Sequence, residues 1–432
     1  VPNARRDAVR HLLDRTIRSE YGRIVSVVSC VLGSIEAAED VVQSACARAL
    51  TEWPARGIPR APGAWLTTVS RRIALDTLRR RKTAERASRR VRANEAAGFD
   101  PVSGRSRGPT DPYELLAEWP DERLKLLFAC CHPRLDPNAR IALTLQVVSG
   151  LTAERIAGAF LVSPATMSQR LVRAKRRLRE EKRPFDIPEP DRFPERLTDV
   201  LGAIYLIFNE GYLSHAGDAL MQTELCEEAI SLARTVVALL DTQQQKPNPE
   251  ALGLLALLIL IHARREARVD QEGVPVLLEG QDRSLWRKEE AAEGRAVLDR
   301  AVSLRRPGPY QIKAAINVIH HDAASPEQTD WQEICALYDR LLLFEPTSVV
   351  RLNRAVAIGM FRGAEAALRE IAEIEAHGAL RSYTYLELAK ARYLSELGRG
   401  NAAKDALNRA RALSSNAAEQ KLIEARLRDT AQ

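Results

Sequence analysis

The sequence predicts an all-α protein of 432 residues. Apolar residues recur at spacings of three and four almost throughout, and no run alternates apolar and polar as a half-buried strand would. The length exceeds what one compact core accommodates, so several domains are expected. Two breaks show where they divide: GFDPVSGRSRGPTDP at 98–112, rich in Gly, Pro and Ser, and PFDIPEPDRFP at 184–194, with four prolines. The expected organisation is a helical module at 1–92, a linker at 93–112, a second module at 113–183, a Pro-rich linker at 184–194, and a large helical block at 195–432.

Charge and cysteine usage narrow the function classes. The formal net charge is +7, and its distribution matters more than its sum. Basic residues concentrate between Arg71 and Arg92 and between Arg170 and Arg183, whereas the C-terminal half alternates signs as a solvated helical surface does. Cys30, Cys46, Cys130, Cys131, Cys226 and Cys335 show no Cys-x-x-Cys spacing and no disulfide framework. The opening VPNARRDAVRHLLDR has no apolar signal core. The most apolar run, Ala251 to Ile261, is too short to cross a bilayer and reads as a buried helix. The expected location is the cytoplasm, without membrane association. No nucleotide-binding glycine loop, zinc-protease helix or nucleophile elbow is present, so an enzyme reading is poor and no cofactor is expected.

In the first module, AAEDVVQSACARALTEW (37–53) puts Ala38, Val41, Val42, Ala45, Ala49 and Trp53 on one helical face. Asp40, Gln43, Ser44, Arg48 and Thr51 lie on the other, available to a partner. A loop containing Pro54, Pro59 and Pro62 is expected next. Then PGAWLTTVSRRIALDTLRRRKT (62–83) forms a helix that packs through Trp65, Leu66, Val69 and Ile73, with Arg71, Arg72, Arg79, Arg80 and Arg81 on its surface.

In the second module, LTAERIAGAF (151–160) is a short helix with Thr152 as N-cap and Ile156, Ala157 and Phe160 inward. The helix after it starts with Ser163 as N-cap and Pro164 as first residue, where the missing N–H is no loss. Met167, Leu171, Ala174 and Leu178 share its inner face; Ala165, Thr166, Gln169, Arg173 and Arg177 point away. Two short helices with a basic second member make a helix-turn-helix, whose second helix fits the DNA major groove. Thr166, Gln169 and Arg173 are the candidates for base edges, and Arg170, Lys175, Arg176 and Arg177 for phosphates. The competing reading is a surface helix with a solvated charge face.

Three segments of the C-terminal block, from Tyr310, Val350 and Tyr385, read as helical hairpins at a spacing of roughly 35 to 40 residues, that of TPR-like repeats. Phe361-Arg362-Gly363 and Gly398-Arg399-Gly400 align as turns. Cys130-Cys131-His132-Pro133 is better explained by buried cysteines and a proline ending a helix than by a metal site. His320-His321 is expected at a helix end, where a cation favours the dipole. Asn209-Glu210-Gly211-Tyr212 reads either as a helix C-terminus capped by Gly211 in the left-handed conformation or as a contact surface.

These motifs carry a family resemblance. AEDVVQ, an alanine-rich helix ending in Trp, and P-x-A-W-L-x-x-V-x-R-R-x-A-L-D-x-L-R-R-R together resemble region 2 of a bacterial sigma factor. GLTAERIAGAFLVSPATMSQRLVRAKRRLRE resembles region 4. Their short separation is that of the extracytoplasmic-function (ECF) group, and ERLKLLFACCHP, IYLIFNEGY and QDRSLW resemble ECF members with a TPR-like C-terminal extension. The resemblance implies that Asp40, Gln43, Ser44 and Arg48 dock on the clamp helices of the largest subunit of RNA polymerase core. It implies that Arg56, Arg60, Trp65, Arg71, Arg72, Arg79 and Arg80 grip a melted −10 element. The helix from Pro164 would read the −35 element as duplex, through Ala165, Thr166, Gln169, Arg170, Arg173, Lys175, Arg176 and Arg177. It also implies that the extension, with a protein or peptide ligand of its own, controls activity.

The chain departs from the family at two places. The turn of the helix-turn-helix usually holds Gly and here has Leu161, which at positive φ would cost on the order of 1–2 kcal/mol, so a turn of another shape is expected. Arg71 or Arg72 stands where a polar residue is usual. Two other readings compete: a polymerase-independent helix-turn-helix regulator with a TPR-type sensor, and an interaction scaffold. The first leaves the AEDVVQ helix and the Trp65 module without a purpose.

Overall fold

The computed structural model describes residues 2–95, 123–160, 162–181, 185, 188–212, 222–242, 247–270, 274–378, 380–414 and 416–430. Most of the first expected linker, part of the second and the turn residue Leu161 lie outside them. Among the described residues the chain is helical, with no β-strand beyond an isolated bridge between Val269 and Pro275. Two compact units are present, Val1–Gly158 with Val162–Ala203, and Ala159–Leu161 with Ile204–Gln432.

In the first unit, α1 (Pro2–Leu32), α2 (Ile35–Arg56) and α3 (Pro62–Glu95) pack against one another. Gly33, at φ +68°, ends α1, and Ser34 starts α2 by accepting a hydrogen bond from Ala37 N–H. The buried face of α2 is the one its periodicity predicts: Ala38, Val41, Val42, Ala45, Ala49 and Trp53. Trp53 meets the edge of Trp65 at 5.5 Å between ring centroids, which anchors α3 on α2.

Two local expectations are corrected here. Pro54 lies inside the last turn of α2, not in the following loop; a proline so close to a helix end gives up only one hydrogen bond. On α3 the fully buried residues are Leu66, Ser70, Ala74 and Leu75, while Val69 and Ile73 are half-buried. The small Ser70 and Ala74, with the buried Ser26 and Ser29 of α1, suit closely approaching helices.

The second module follows with α4 (Arg123–Cys130), α5 (Pro137–Val147), α6 (Ala153–Ala159) and α7 (Pro164–Arg179). Cys130 and Cys131 are fully buried, and burial holds both thiols protonated, Cys131 pushed up to about 12. Helix α1 also packs on α4 and α5, and Gly22 makes the approach possible: a Cβ there would stand 1.8 Å from the Val148 carbonyl oxygen. The beginning of α8 (Phe193–Tyr212) completes this unit. Phe193 meets Phe128 edge-on, Arg140 pairs with Asp199 at 2.8 Å, and Arg196 donates to the Phe128 carbonyl.

The second unit holds the rest of α8, α9 (Thr223–Thr242), α10 (Pro249–His262), α11 (Lys288–Ser303), α12 (Pro309–Asp322), α13 (Trp331–Phe344), α14 (Ser348–Arg362), α15 (Ala364–Ala376), α16 (Thr384–Glu396), α17 (Gly400–Leu413) and α18 (Ala417–Asp429). Helix α10 is the expected apolar run, buried on every side and packed by α9, α11 and α12. Its Glu250 accepts from the Tyr310 N–H at 2.9 Å and so caps the start of α12. From α13 onward successive helices pack as antiparallel neighbours, and Gly363 at φ +89° makes the tight α14–α15 turn. Gly359 of α14 lies flat against the Tyr393 ring of α16, whose hydroxyl donates to the Val356 carbonyl at 2.9 Å.

Gly211 and the histidine pair also differ from expectation. Gly211 is inside α8 without positive φ, and a Cβ there would press on Leu225 and Cys226. It permits close packing of α8 and α9 and is no left-handed cap. His320 and His321 do lie in the last turn of α12, but not as cations. Burial and the neighbouring Arg264 and Arg283 hold their pKa values down to about 3 and about 4. His321 Nε2 is 2.9 Å from the Leu260 carbonyl, so the neutral ring donates there.

Candidate nucleic-acid interface

Helix α7 owes its position to its start and to its inner stripe. Ser163 Oγ accepts from Thr166 N–H at 3.1 Å, with Pro164 as first helical residue. Met167, Leu171, Ala174 and Leu178 are buried, as their spacing predicts. The preceding α6 is capped by Thr152, whose hydroxyl accepts from Arg155 N–H. The outer face of α7 carries Ala165, Gln169, Arg173, Arg176 and Arg177 fully exposed, and Thr166 and Arg170 half-exposed. A groove of about 670 Å³ runs beside this helix, walled by Arg170, Arg173, Arg176 and Arg177 and closed by Asp136 and Asn138 at the start of α5.

These arginines are only lightly engaged. Arg176 pairs with Glu180 at 3.3 Å on the exposed surface, Arg177 donates to the Arg134 carbonyl, and Arg173 to the Gln169 carbonyl. Exposed pairs of this kind contribute at most about 1 kcal/mol, so a polyanion competes with them readily. The arrangement is a basic, convex helix able to enter a duplex groove, with flanking cations for phosphates.

Lys175 is the exception among the predicted DNA contacts. It is 7% exposed, and its ammonium lies 2.6 and 2.7 Å from the two Glu39 carboxylate oxygens of α2. Tyr21 of α1 donates to the same carboxylate at 3.4 Å, and burial beside Glu39 pushes its phenol pKa well above the ordinary value. This junction ties the inner edge of α7 to α1 and α2. Sequence periodicity did not reveal it, because Glu39 is 136 positions away.

The other predicted residues fall on two surfaces. Asp40, Gln43, Ser44 and Arg48 are exposed along one stripe of α2, with Ser44 donating back to the Asp40 carbonyl. Arg56 and Arg60 are exposed beside the α2–α3 turn, where Gly57 takes φ +93°. On α3, Arg72, Arg79 and Arg80 are exposed, Arg71 is half-buried, and Trp65 is half-buried against Trp53. The structure therefore brings Arg56, Arg60 and Trp65 to one end of the three-helix module and spreads Arg72, Arg79 and Arg80 along α3.

Both surfaces lie in segments that match known families. Residues 16–84 match sigma-70 region 2, and residues 125–178 match sigma-70 region 4. Residues 196–302 match DUF6596, a family of unknown function. The protein R00370 of Rhizobium meliloti (strain 1021), described as uncharacterized, is 43% identical over 400 residues, covering 91% of this chain and 90% of that protein. The probable ECF RNA polymerase sigma factor SigI of Mycobacterium tuberculosis (strain H37Rv) is 29% identical over 167 residues, which span 38% of this chain and 53% of SigI. No solved structure matches the chain. The chain thus belongs to one family with R00370, and it carries sigma-70 region 2 and region 4 domains.

Proposed function

We propose that this protein brings RNA polymerase core to specific promoters, and that its C-terminal helices control when it does so. The observation that carries the reading is the pairing of two outward polar faces in one unit. One is the Asp40, Gln43, Ser44 and Arg48 stripe of α2; the other is the Thr166, Gln169 and Arg173 face of α7. A DNA-binding regulator that works without polymerase has no use for the first of these.

In this mechanism the α2 stripe docks on the clamp helices of the largest polymerase subunit. Trp65, Arg56 and Arg60 hold a flipped base and its flanking phosphates in the melted −10 element, with Arg71, Arg72, Arg79 and Arg80 along the backbone. Helix α7 enters the major groove at the −35 element, where Thr166, Gln169 and Arg173 meet base edges and Arg170, Arg176 and Arg177 meet phosphates. Lys175 joins them only once its bond to Glu39 opens. The protein binds and positions, and the polymerase performs the chemistry. A factor of this kind works in the cytoplasm.

The stacked hairpins α12–α13, α14–α15 and α16–α17 support a TPR-like reading of the C-terminal unit, with a protein or peptide ligand as its partner. Run-off transcription with purified core polymerase and a pool of genomic promoters tests the proposal. Full-length protein is expected to yield specific start sites, and a chain ending near Ala203, after the first unit, none. Failure of the full-length protein to bind core at all refutes the reading; an active truncation refutes control by the C-terminal unit.

A further inference from the structure

Several half-buried arginines of the C-terminal unit each hold a carboxylate. Arg265 forks onto Glu290, Arg354 bridges Asp339 and Glu370, and Arg392 holds Glu279 and Glu396. The two most deeply buried, Arg264 and Arg268, do not. They are 6% and 8% exposed, and among the described residues no carboxylate lies within ion-pair distance of either. Arg264 donates only to the Asn317 side-chain oxygen at 2.8 Å. Arg268 lies 3.5 Å over the Tyr212 ring, a neutral partner.

The surroundings are short of acceptors. Arg264 Nε, Arg268 Nη1, Arg283 Nε and Trp286 Nε1 are buried donors with no hydrogen-bond partner among the described residues. Arg264 and Arg283 stand 5.6 and 4.9 Å from the Trp286 ring centre, so these donors are neighbours. Burial, with the cations Arg268 and Arg283 nearby, holds the Arg264 pKa below its ordinary value. A cavity of about 530 Å³ opens on the Arg283 and Trp286 side of the cluster, lined also by Lys288, Arg295 and His321, with Asp322 already paired to Arg295; Arg264 and Arg268 are not part of its wall. That volume is in the range of small-molecule sites. Buried donors in native proteins ordinarily have an acceptor, and a charged acceptor makes the strongest bond to a guanidinium.

We propose that the cluster of Arg264, Arg268, Arg283 and Trp286 binds the oxyanion, carboxylate or phosphate, of a small molecule. Arg283 also donates to the His320 and Ala323 carbonyls at the end of α12, so an anion drawing on its Nε is coupled to that helix end. On the sigma-factor reading this is an input to the control unit. The binding itself does not depend on that reading and is measured without polymerase or DNA.

The experiment is thermal unfolding of the full chain at constant ionic strength, with chloride replaced stepwise by inorganic phosphate or by citrate. The wild type is expected to gain about 3 °C once the anion is in large excess over its dissociation constant. A gain with phosphate alone identifies a phosphate site, and a gain with citrate alone a carboxylate site. Arg268→Met and Arg264→Met are each expected to abolish the gain, while the melting temperature without anion stays level or rises, because an uncompensated buried charge has gone. If Arg264→Met fails to fold, Arg268→Met decides. A wild type indifferent to both anions overturns the proposal, as does a gain that survives in Arg268→Met.

Discussion

The arginines of α7 and those that follow α10 differ in what surrounds them. Arg173, Arg176 and Arg177 stand in water with weak partners, so their charge is maintained at little cost and is available to a polyanion. Arg264 and Arg268 are held by packing, away from solvent and away from carboxylates. An exposed cation is a general instrument that gains affinity from any phosphate; a buried one is selective, because it rewards only an anion that fits. On the two proposals, one residue type serves a long, regular ligand in the first unit and a small one in the second.

The junction between α2 and α7 offers the largest test of how environment sets the value of a charge. Glu39→Gln leaves the Lys175 ammonium buried without a counter-ion and is expected to cost about 3 kcal/mol in urea unfolding. The double change Glu39→Gln with Lys175→Met removes the stranded charge and is expected to recover most of that loss. Equal destabilisation by the single and double changes would show that packing, not charge, holds the junction.

Acid gives the next effect, at the histidine pair of the second unit. His320 and His321 stay neutral in the folded chain down to about pH 3 and pH 4, whereas in the unfolded chain they take up protons below about 6.5. Their contribution to stability is therefore complete above pH 6.5 and declines as pH falls through 6 and 5. The slope is at most about 1.4 kcal/mol per pH unit for each ring. Unfolding measured between pH 7.5 and 5.5 reads the slope, and His321→Gln, which retains a donor for Leu260, is expected to reduce it. A slope unchanged by that substitution assigns the acid response to other groups.

The smallest effects on stability belong to α7. Arg173→Ala and Arg176→Ala are each expected to change folding by no more than about 0.5 kcal/mol. On DNA the two separate: Arg173→Ala loses about 1–3 kcal/mol of preference at one base position, and Arg176→Ala weakens all sequences alike and lowers the salt slope by about one. Identical behaviour of the two variants in binding titrations would mean that the base-reading and phosphate-holding sides are misassigned.

Sequence alone was informative where a single helix decides the outcome. The cap at Ser163, the buried stripe of α7 and the exposed stripe of α2 follow from local spacing, and the apolar α10 from composition. It was uninformative where two distant segments meet. Lys175 sits beside Ala174 in a basic run, and nothing nearby marks it as turned toward Glu39. Ser70 and Ala74 are less hydrophobic than Val69 and Ile73, yet they take the core of α3 because a close helix leaves room only for small side chains. His320 and His321 look like helix-end cations until Arg264 and Arg283 are placed next to them. Arg264 and Arg268 themselves belong to an ordinary charged run, RREAR, whose burial depends on helices far along the chain.

The contact of Gly359 with Tyr393 has a consequence for how the C-terminal helices come apart. The tyrosine belongs to one hairpin, while the glycine that admits its ring and the carbonyl that receives its hydroxyl belong to the hairpin before. Neither can peel away without opening the other, so α14 to α17 should open as a single cooperative block. Stacked repeats often fray from their ends one unit at a time. Here that shared contact ties α16 to α14, so the two hairpins are expected to open together.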